Sequence, residues 1–81
     1  METHLIPIED VYIPTKRRHT LDPAKVEELA ESIMEEGVKV PIQVRQDGDR
    51  VVLVEGLHRL EAARALGETT VPGIFVGAKR F

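Results

Sequence analysis

A run of four apolar, β-forming residues, VVLV at positions 51–54, places the strongest constraint on the fold of this chain. A strand that is apolar on both faces occurs inside a sheet that other elements cover on both sides. The preceding residues 46–49 (QDGD) contain the Asp-Gly pair typical of a tight turn, and Ile42 and Val44 alternate with polar neighbours just before it. The sequence therefore predicts a β-hairpin whose second arm is central in a sheet and covered by helices.

Two helices are predicted, one on each side of this hairpin in the sequence. In the first, residues 21–37, Asp22 can cap the N-terminus, Pro23 suits the first helical position, and Gly37 supplies a left-handed stop. Its apolar residues recur with helical spacing and form one stripe: Val26, Leu29, Ala30, Ile33 and Met34. The second helix begins at Leu57 or His58, is rich in alanine, and ends at residues 66–67.

Two further strands complete the expected sheet. Residues 5–11 contain Pro7 and are predicted to form a short edge strand, residues 12–20 a loop, and residues 71–76 a last strand. The predicted fold is α+β, with a mixed four-stranded sheet and two main helices in the order strand, helix, strand, strand, helix, strand. A chain of 81 residues buries too little surface for two cores, so residues 1–81 are expected to form a single domain.

Composition excludes several classes of function. The chain has no cysteine, so it can form no disulfide, thiolate metal site or thiol nucleophile. Its formal net charge of −3 argues against extensive contact with a nucleic-acid backbone. The three histidines are too scattered for a metal-ligand pattern, so no metal site is predicted. No apolar run approaches membrane-spanning length and no signal peptide is visible, so we expect a cytoplasmic protein with no membrane contact.

The segment EGLHR at residues 55–59 is the strongest candidate for a functional site. It follows a buried strand directly and opens a helix, whose first turn presents unpaired N–H groups and a partial positive charge. Gly56 would let the backbone approach an anion closely. Arg59 in that first turn opposes the helix dipole unless an anion binds beside it.

A structural explanation of the same residues stays open at this point. Arg59 can pair with Glu55 or Glu61, and His58 can be an ordinary polar residue of a short helix. A glycine before a helix is also common, so the residues alone leave the two interpretations evenly balanced.

Several segments together resemble the N-terminal domain of ParB-type chromosome and plasmid partition proteins, from about residue 6 to residue 76. The matching segments are 29–33 (LAESI), Gly37, 41–44 (PIQV), 56–63 (GLHRLEAA), 66–67 (LG) and 71–72 (VP). Sulfiredoxin shares this fold, and residues 21–26 (LDPAKV) and 56–59 (GLHR) resemble it as well. A family of free-serine kinases has the same fold.

The resemblance implies a nucleotide site. In ParB proteins a glycine-arginine element and an upstream basic segment bind the triphosphate of CTP. In sulfiredoxin a histidine, an arginine and a lysine on the first helix hold the phosphates of ATP. Carried over by position, these roles fall to the following residues: Gly56, His58, Arg59, Lys25, and Arg17 or Arg18 of the basic segment.

Departures from these families limit what can be carried over. Leu57 stands where sulfiredoxin has its catalytic cysteine, so sulfinic-acid reductase chemistry is excluded. The His-Glu pair of the serine kinases is missing from residues 15–19, although Glu9 or Asp10 could substitute as a base. The 81 residues include neither the helix-turn-helix nor the dimerisation segment of ParB proteins, so a stand-alone domain is expected.

We therefore expect a ParB/sulfiredoxin-like domain that binds ATP or CTP, with Mg²⁺, or another phosphate ligand, and serves as a partition-related or regulatory module. The alternative is a small phosphotransferase or nucleotide hydrolase of the same fold, and a third hypothesis is DNA binding or nuclease activity. Whether the ligand is turned over, and which residue would then be catalytic, is left open by the sequence. It also leaves open the oligomeric state and whether the partners include DNA or a DNA-binding protein.

Overall fold

A computed structural model describes residues 2–77 as one mixed sheet with three helices. The five strands are β1 (His4–Pro7), β2 (Val11–Tyr12), β3 (Ile42–Asp47), β4 (Arg50–Glu55) and β5 (Thr70–Phe75). The helices are α1 (Thr15–Arg18), α2 (Pro23–Glu36) and α3 (Leu57–Ala65). The spatial order of the strands is β1-β5-β3-β4-β2, with antiparallel pairs β1/β5 and β3/β4 and parallel pairs β5/β3 and β4/β2.

The α+β class, the two main helices and the hairpin are confirmed, whereas the expected count of four strands is wrong. The predicted strand at residues 5–11 is two strands, β1 and β2, separated by a 3₁₀ turn at Ile8–Asp10. These two strands lie at opposite edges of the sheet, so the turn carries the chain from one edge to the other. Pro7 does lie on an edge strand, as expected of a residue that cannot donate to a ladder.

The predicted loop at residues 12–20 contains the short helix α1, which the sequence interpretation missed. Its turn is closed by the amides of Arg17 and Arg18, which both donate to the carbonyl of Pro14. None of the four residues of α1 is buried, so the helix leaves no apolar periodicity in the sequence.

The caps predicted for α2 are present. The Asp22 carboxylate accepts from the amide of Ala24 at 3.0 Å, Pro23 is the first helical residue, and Gly37 ends the helix at φ +78°. The helix packs against α3, yet none of its residues is fully buried, and Met34 at the end of the apolar stripe is 73% exposed. The stripe is therefore only half covered, and α2 lies at the periphery of the domain.

The core lies between the sheet and α3. Its fully buried large side chains come from three strands and this helix: Ile42, Val44, Leu53, Val71 and Leu60. Burial of each such side chain stabilises the fold by about 1.5–3 kcal/mol. Strand β4 has neighbours on both sides, and its Val52 and Leu53 are both buried, which confirms its predicted interior position.

Met1 and residues 78–81, which belong to the expected single domain, lie outside the described residues. Within residues 2–77 no helix has both the length and the apolar character needed to cross a membrane.

Candidate functional site

A cleft of about 360 Å³ opens where α3 begins and where α1 and the N-terminal end of α2 approach it. Nine residues line it: Arg17, Thr20, Lys25, Leu29, Glu55, Gly56, Leu57, His58 and Arg59. Its volume falls in the range of small-molecule sites in proteins. The cleft therefore gathers side chains from four elements that are far apart in the sequence.

Gly56 lines the cleft and joins β4 to α3 without an intervening loop. Its φ of +106° lies in the left-handed region that favours glycine. A Cβ atom at this position would stand 2.8–3.1 Å from Ile42, a fully buried residue of the adjacent strand β3. Both the backbone angle and the packing thus require glycine, in addition to any role in ligand approach.

The N-terminus of α3 has no side-chain cap. Gly56 occupies the cap position and has no side chain that could accept a hydrogen bond. In α2, by contrast, the side chain of the cap residue Asp22 accepts one. Amides in the first turn of a helix lack intrahelical partners and carry a partial positive charge. The start of α3 therefore offers N–H donors to an anion in the cleft.

His58 connects the two main helices at this point. Its Nε2 atom accepts a hydrogen bond of 3.0 Å from the amide of Asp22, the cap residue of α2. An imidazole nitrogen that accepts is unprotonated, so in this arrangement the ring is neutral and carries its proton on Nδ1. His58 thus holds the N-terminal end of α2, including Lys25 one turn further on, against the start of α3.

Three cationic side chains and one carboxylate give the cleft its charge. Arg17 on α1 pairs with Glu55 at the end of β4, with 3.3 Å between the guanidinium nitrogen and Oε2. Among residues 2–77, no carboxylate lies within ion-pair distance of Lys25 or Arg59. The formal charge of the lining is therefore +2 with His58 neutral, although the whole chain carries −3.

The fold brings five of the six residues predicted from the sequence into this cleft: Gly56, His58, Arg59, Lys25 and Arg17. Arg18, the sixth, faces elsewhere: its Nε donates to the carbonyl of Ile13 at 3.3 Å, and it lines a neighbouring depression with Glu61 and Arg64. Of the two basic residues that the resemblance left open, Arg17 is the one that lines the cleft.

Two polar residues of the cleft were missed as site residues. Thr20 donates from Oγ1 to the carbonyl of Arg17 at 2.7 Å and so closes the end of α1. The sequence offers Glu55 and Glu61 as partners of Arg59, whereas in the structure Glu55 pairs with Arg17 and Glu61 pairs with Arg64. The position of Glu55 just before Gly56 was a usable signal, since the last residue of the strand lies beside the helix N-terminus.

The carboxylates suggested as substitute bases lie outside this cleft. Glu9 and Asp10 line a separate depression near Tyr12, together with Asp49 and Arg50. In that depression the guanidinium of Arg50 lies 4.3 Å from the centre of the Tyr12 ring. Neither acid lines the cleft at α3, which leaves Glu55 as the carboxylate beside the cationic residues.

Comparison with known families identifies the whole fold. A family model described as the ParB N-terminal domain matches residues 1–80. The chain is 40% identical over 70 residues to the chromosome-partitioning protein ParB of Myxococcus xanthus, covering 85% of this chain and 24% of that protein. It is 36% identical over 66 residues to the chloroplastic/mitochondrial sulfiredoxin of Arabidopsis thaliana, covering 82% of this chain and 53% of that protein.

Solved structures show the same fold. The crystal structure of sulfiredoxin from Arabidopsis thaliana superposes with a TM-score of 0.86 at 31% identity, covering 96% of this chain and 88% of that one. C-terminally truncated ParB from Caulobacter crescentus complexed with CTP-γ-S superposes with a TM-score of 0.81 at 31% identity, covering 98% of this chain and 46% of that one. C-terminally truncated ParB from Caulobacter crescentus has also been solved on the centromeric parS site, with a TM-score of 0.78, 32% identity, and coverage of 94% of this chain and 41% of that one.

The curated relatives are longer than this chain. The chain spans 24% of the Myxococcus ParB and 53% of the Arabidopsis sulfiredoxin. The match therefore concerns one domain of the partition proteins.

Proposed function

The chain belongs to the ParB N-terminal domain family of the ParB/sulfiredoxin superfamily, and from this membership we propose that it binds CTP or ATP, as the magnesium complex, at the start of α3. The observation that carries the proposal is the convergence of Lys25, Arg17 and Arg59 on the uncapped N-terminus of α3 in one cleft. The relative from Caulobacter crescentus was solved with CTP-γ-S, a nucleotide analogue. This supports a triphosphate as the ligand class.

The chemistry of the cleft suits a phosphate chain. Amides at a helix N-terminus bind phosphate oxygens without further specialised groups, and Gly56 adds no side chain that would block their approach. Arg59 can bind two phosphate oxygens through its planar guanidinium, whereas Lys25 acts as a mobile point charge. Mg²⁺ fits the same site because it prefers oxygen ligands and is commonly held by substrate phosphates together with one or two carboxylates. Glu55 is the carboxylate that this cleft offers.

We assign the domain a partition-related or regulatory role, in which the nucleotide controls contact with another macromolecule. The support is the similarity to the chromosome-partitioning protein ParB of Myxococcus xanthus. DNA is a candidate partner, because the Caulobacter relative has also been solved on parS.

Calorimetric titration with CTP and with ATP, each in excess MgCl₂, tests the binding proposal. Arg59→Ala is expected to weaken binding at least about tenfold, since a hydrogen bond to a charged group contributes roughly 1.5–3 kcal/mol. Arg45→Ala is the matched control, because Arg45 is an exposed arginine of β3 that does not line the cleft. Absence of binding by the unaltered chain, or equal binding by the two variants, would contradict the proposal.

Phosphoryl transfer or hydrolysis is the second candidate, and one observation favours it. The Glu55 carboxylate lies in the same cleft as the three cations, where it could act as a general base toward water or a hydroxyl acceptor. Release of ADP or inorganic phosphate from ATP that is lost in Glu55→Gln would support this candidate. Binding without such release would leave the domain as a nucleotide-binding module.

A further inference from the structure

We propose that Glu55 makes this cleft select the magnesium complex of a triphosphate over the free triphosphate. The inference rests on the proposed nucleotide binding and assigns to one residue the preference for a metal-bound ligand. Glu55 is an acidic side chain in the cleft where the proposed phosphates would lie, and its structural contact in the described residues is an exposed ion pair with Arg17.

Glu55 contributes little to the stability of the core. It is the last residue of β4, its side chain is 63% exposed, and its carboxylate contacts Arg17 at 3.3 Å. Arg17 is itself 39% exposed, and ion pairs of this kind contribute about 0–1 kcal/mol to folding. A carboxylate in this location therefore has its main effect on whatever charge enters the cleft.

The charge of the lining matches the metal complex better than the free ligand. Arg17, Lys25 and Arg59 with Glu55 leave a formal charge of +2. A free nucleoside triphosphate carries about four negative charges near neutral pH, and bound Mg²⁺ reduces this to about two. Glu55 lowers the attraction for the free ligand by repulsion, and the repulsion falls once a divalent cation screens the phosphates.

The same carboxylate can contact the cation. Mg²⁺ prefers oxygen ligands and keeps several of its waters, so Glu55 can meet it directly or through a bound water. Arg17 is then released from its pairing with Glu55 and can bind a phosphate oxygen. When the free triphosphate binds, by contrast, Arg17 must leave Glu55 in order to contact a phosphate. The Glu55 carboxylate then has no cation beside it to balance its charge.

Calorimetric titration of CTP, ATP and inorganic triphosphate, in excess MgCl₂ and separately in EDTA, tests the proposal. The measured quantity is the ratio of the dissociation constant in EDTA to that in MgCl₂. Glu55→Gln keeps the size of the side chain and removes its charge, so we expect this ratio to fall about tenfold, chiefly because the free ligand binds more tightly.

Glu61→Gln is the matched control. Glu61 also pairs with an arginine at 3.3 Å, through Arg64, but it lies on the neighbouring depression instead of the cleft. We expect Glu61→Gln to leave the ratio at the value of the unaltered chain, and circular dichroism to show that both variants are folded.

The outcomes separate the two proposals. If the unaltered chain binds the probes and Glu55→Gln leaves the ratio unchanged, the role of Glu55 is refuted while nucleotide binding stands. An equal fall of the ratio in Glu61→Gln would also refute it, because the effect would then come from the overall charge of the domain. Failure of the unaltered chain to bind any probe would overturn both proposals.

Discussion

At the scale of single residues, Gly56 is constrained twice by the fold. It takes a left-handed backbone conformation, and its missing side chain makes room for Ile42 at the centre of the sheet. The short link between β4 and α3, which brings the helix N-terminus to the cleft, depends on both properties. The residue that would admit the ligand is therefore also one that the domain needs in order to fold.

Gly56→Ala should destabilise the domain far more than Gly67→Ala. Both glycines have positive φ, at +106° and +83°. Alanine in this left-handed conformation therefore lowers the free energy of unfolding by about 1–2 kcal/mol at either position. Only at Gly56 would the added Cβ also meet Ile42, which costs roughly another 1–3 kcal/mol. Urea denaturation of the two variants measures the difference. Equal losses of unfolding free energy would show that packing against Ile42 does not constrain this site.

The sequence predicted part of the site because three of its residues lie within four consecutive positions, 56–59. The strand-to-helix junction makes Gly56, His58 and Arg59 candidates, and the family resemblance favours the anion site over the structural explanation. Lys25 and Arg17 came from the family resemblance, since the local pattern says nothing about which surface helix meets α3. Glu55 as the partner of Arg17 could not be predicted, because the two residues are 38 positions apart and meet only through the packing of α1.

At the scale of elements, α2 is attached to the rest of the domain less firmly than α3. None of its residues is fully buried, whereas α3 buries Leu57, Leu60, Ala62 and Ala63. Its N-terminal end is joined to α3 by the hydrogen bond from the Asp22 amide to His58. The position of Lys25 in the cleft therefore depends on this contact as well as on packing between the helices.

His58→Ala should loosen the N-terminal end of α2 while the sheet remains protected. Loss of the acceptor for the Asp22 amide costs about 0.5–1.5 kcal/mol, which corresponds to roughly two- to tenfold faster amide exchange in the peptide covering residues 21–30. Hydrogen exchange read by mass spectrometry measures this. His19→Ala is the control, as His19 is exposed and outside the cleft. Unchanged exchange in the His58 variant would mean that the hydrogen bond does not hold α2.

The elements themselves were predictable wherever a local signal was strong. The caps of α2 and the turn at Gly48 and Asp49 between β3 and β4 are encoded by adjacent residues. The division of residues 5–11 was not, because Ile6 and Ile8 alternate as in a single strand, and only the buried Val11, three residues after Ile8, breaks that alternation. Which edge of the sheet each piece joins is decided by β5 and β4, which lie far along the chain.

At the scale of the whole molecule, charge is distributed unevenly. The chain carries −3 overall, yet its cleft carries a formal +2, because many of the acidic side chains lie on the outer face of α2. A compact polyanion would be drawn to the cleft, whereas an extended nucleic-acid backbone would also meet the acidic surface. The arrangement favours one phosphate chain as the ligand over a duplex bound along the surface.

Nuclear magnetic resonance of the ¹⁵N-labelled chain, titrated with CTP and with ATP in the presence of MgCl₂, tests nucleotide binding at the start of α3 most directly. We expect saturable shifts of the backbone amides of residues 56–59, together with those of residues 22–25 at the start of α2. No shift at millimolar nucleotide would contradict nucleotide binding at this site. So would shifts confined to another surface, such as the depression beside Glu9 and Asp49.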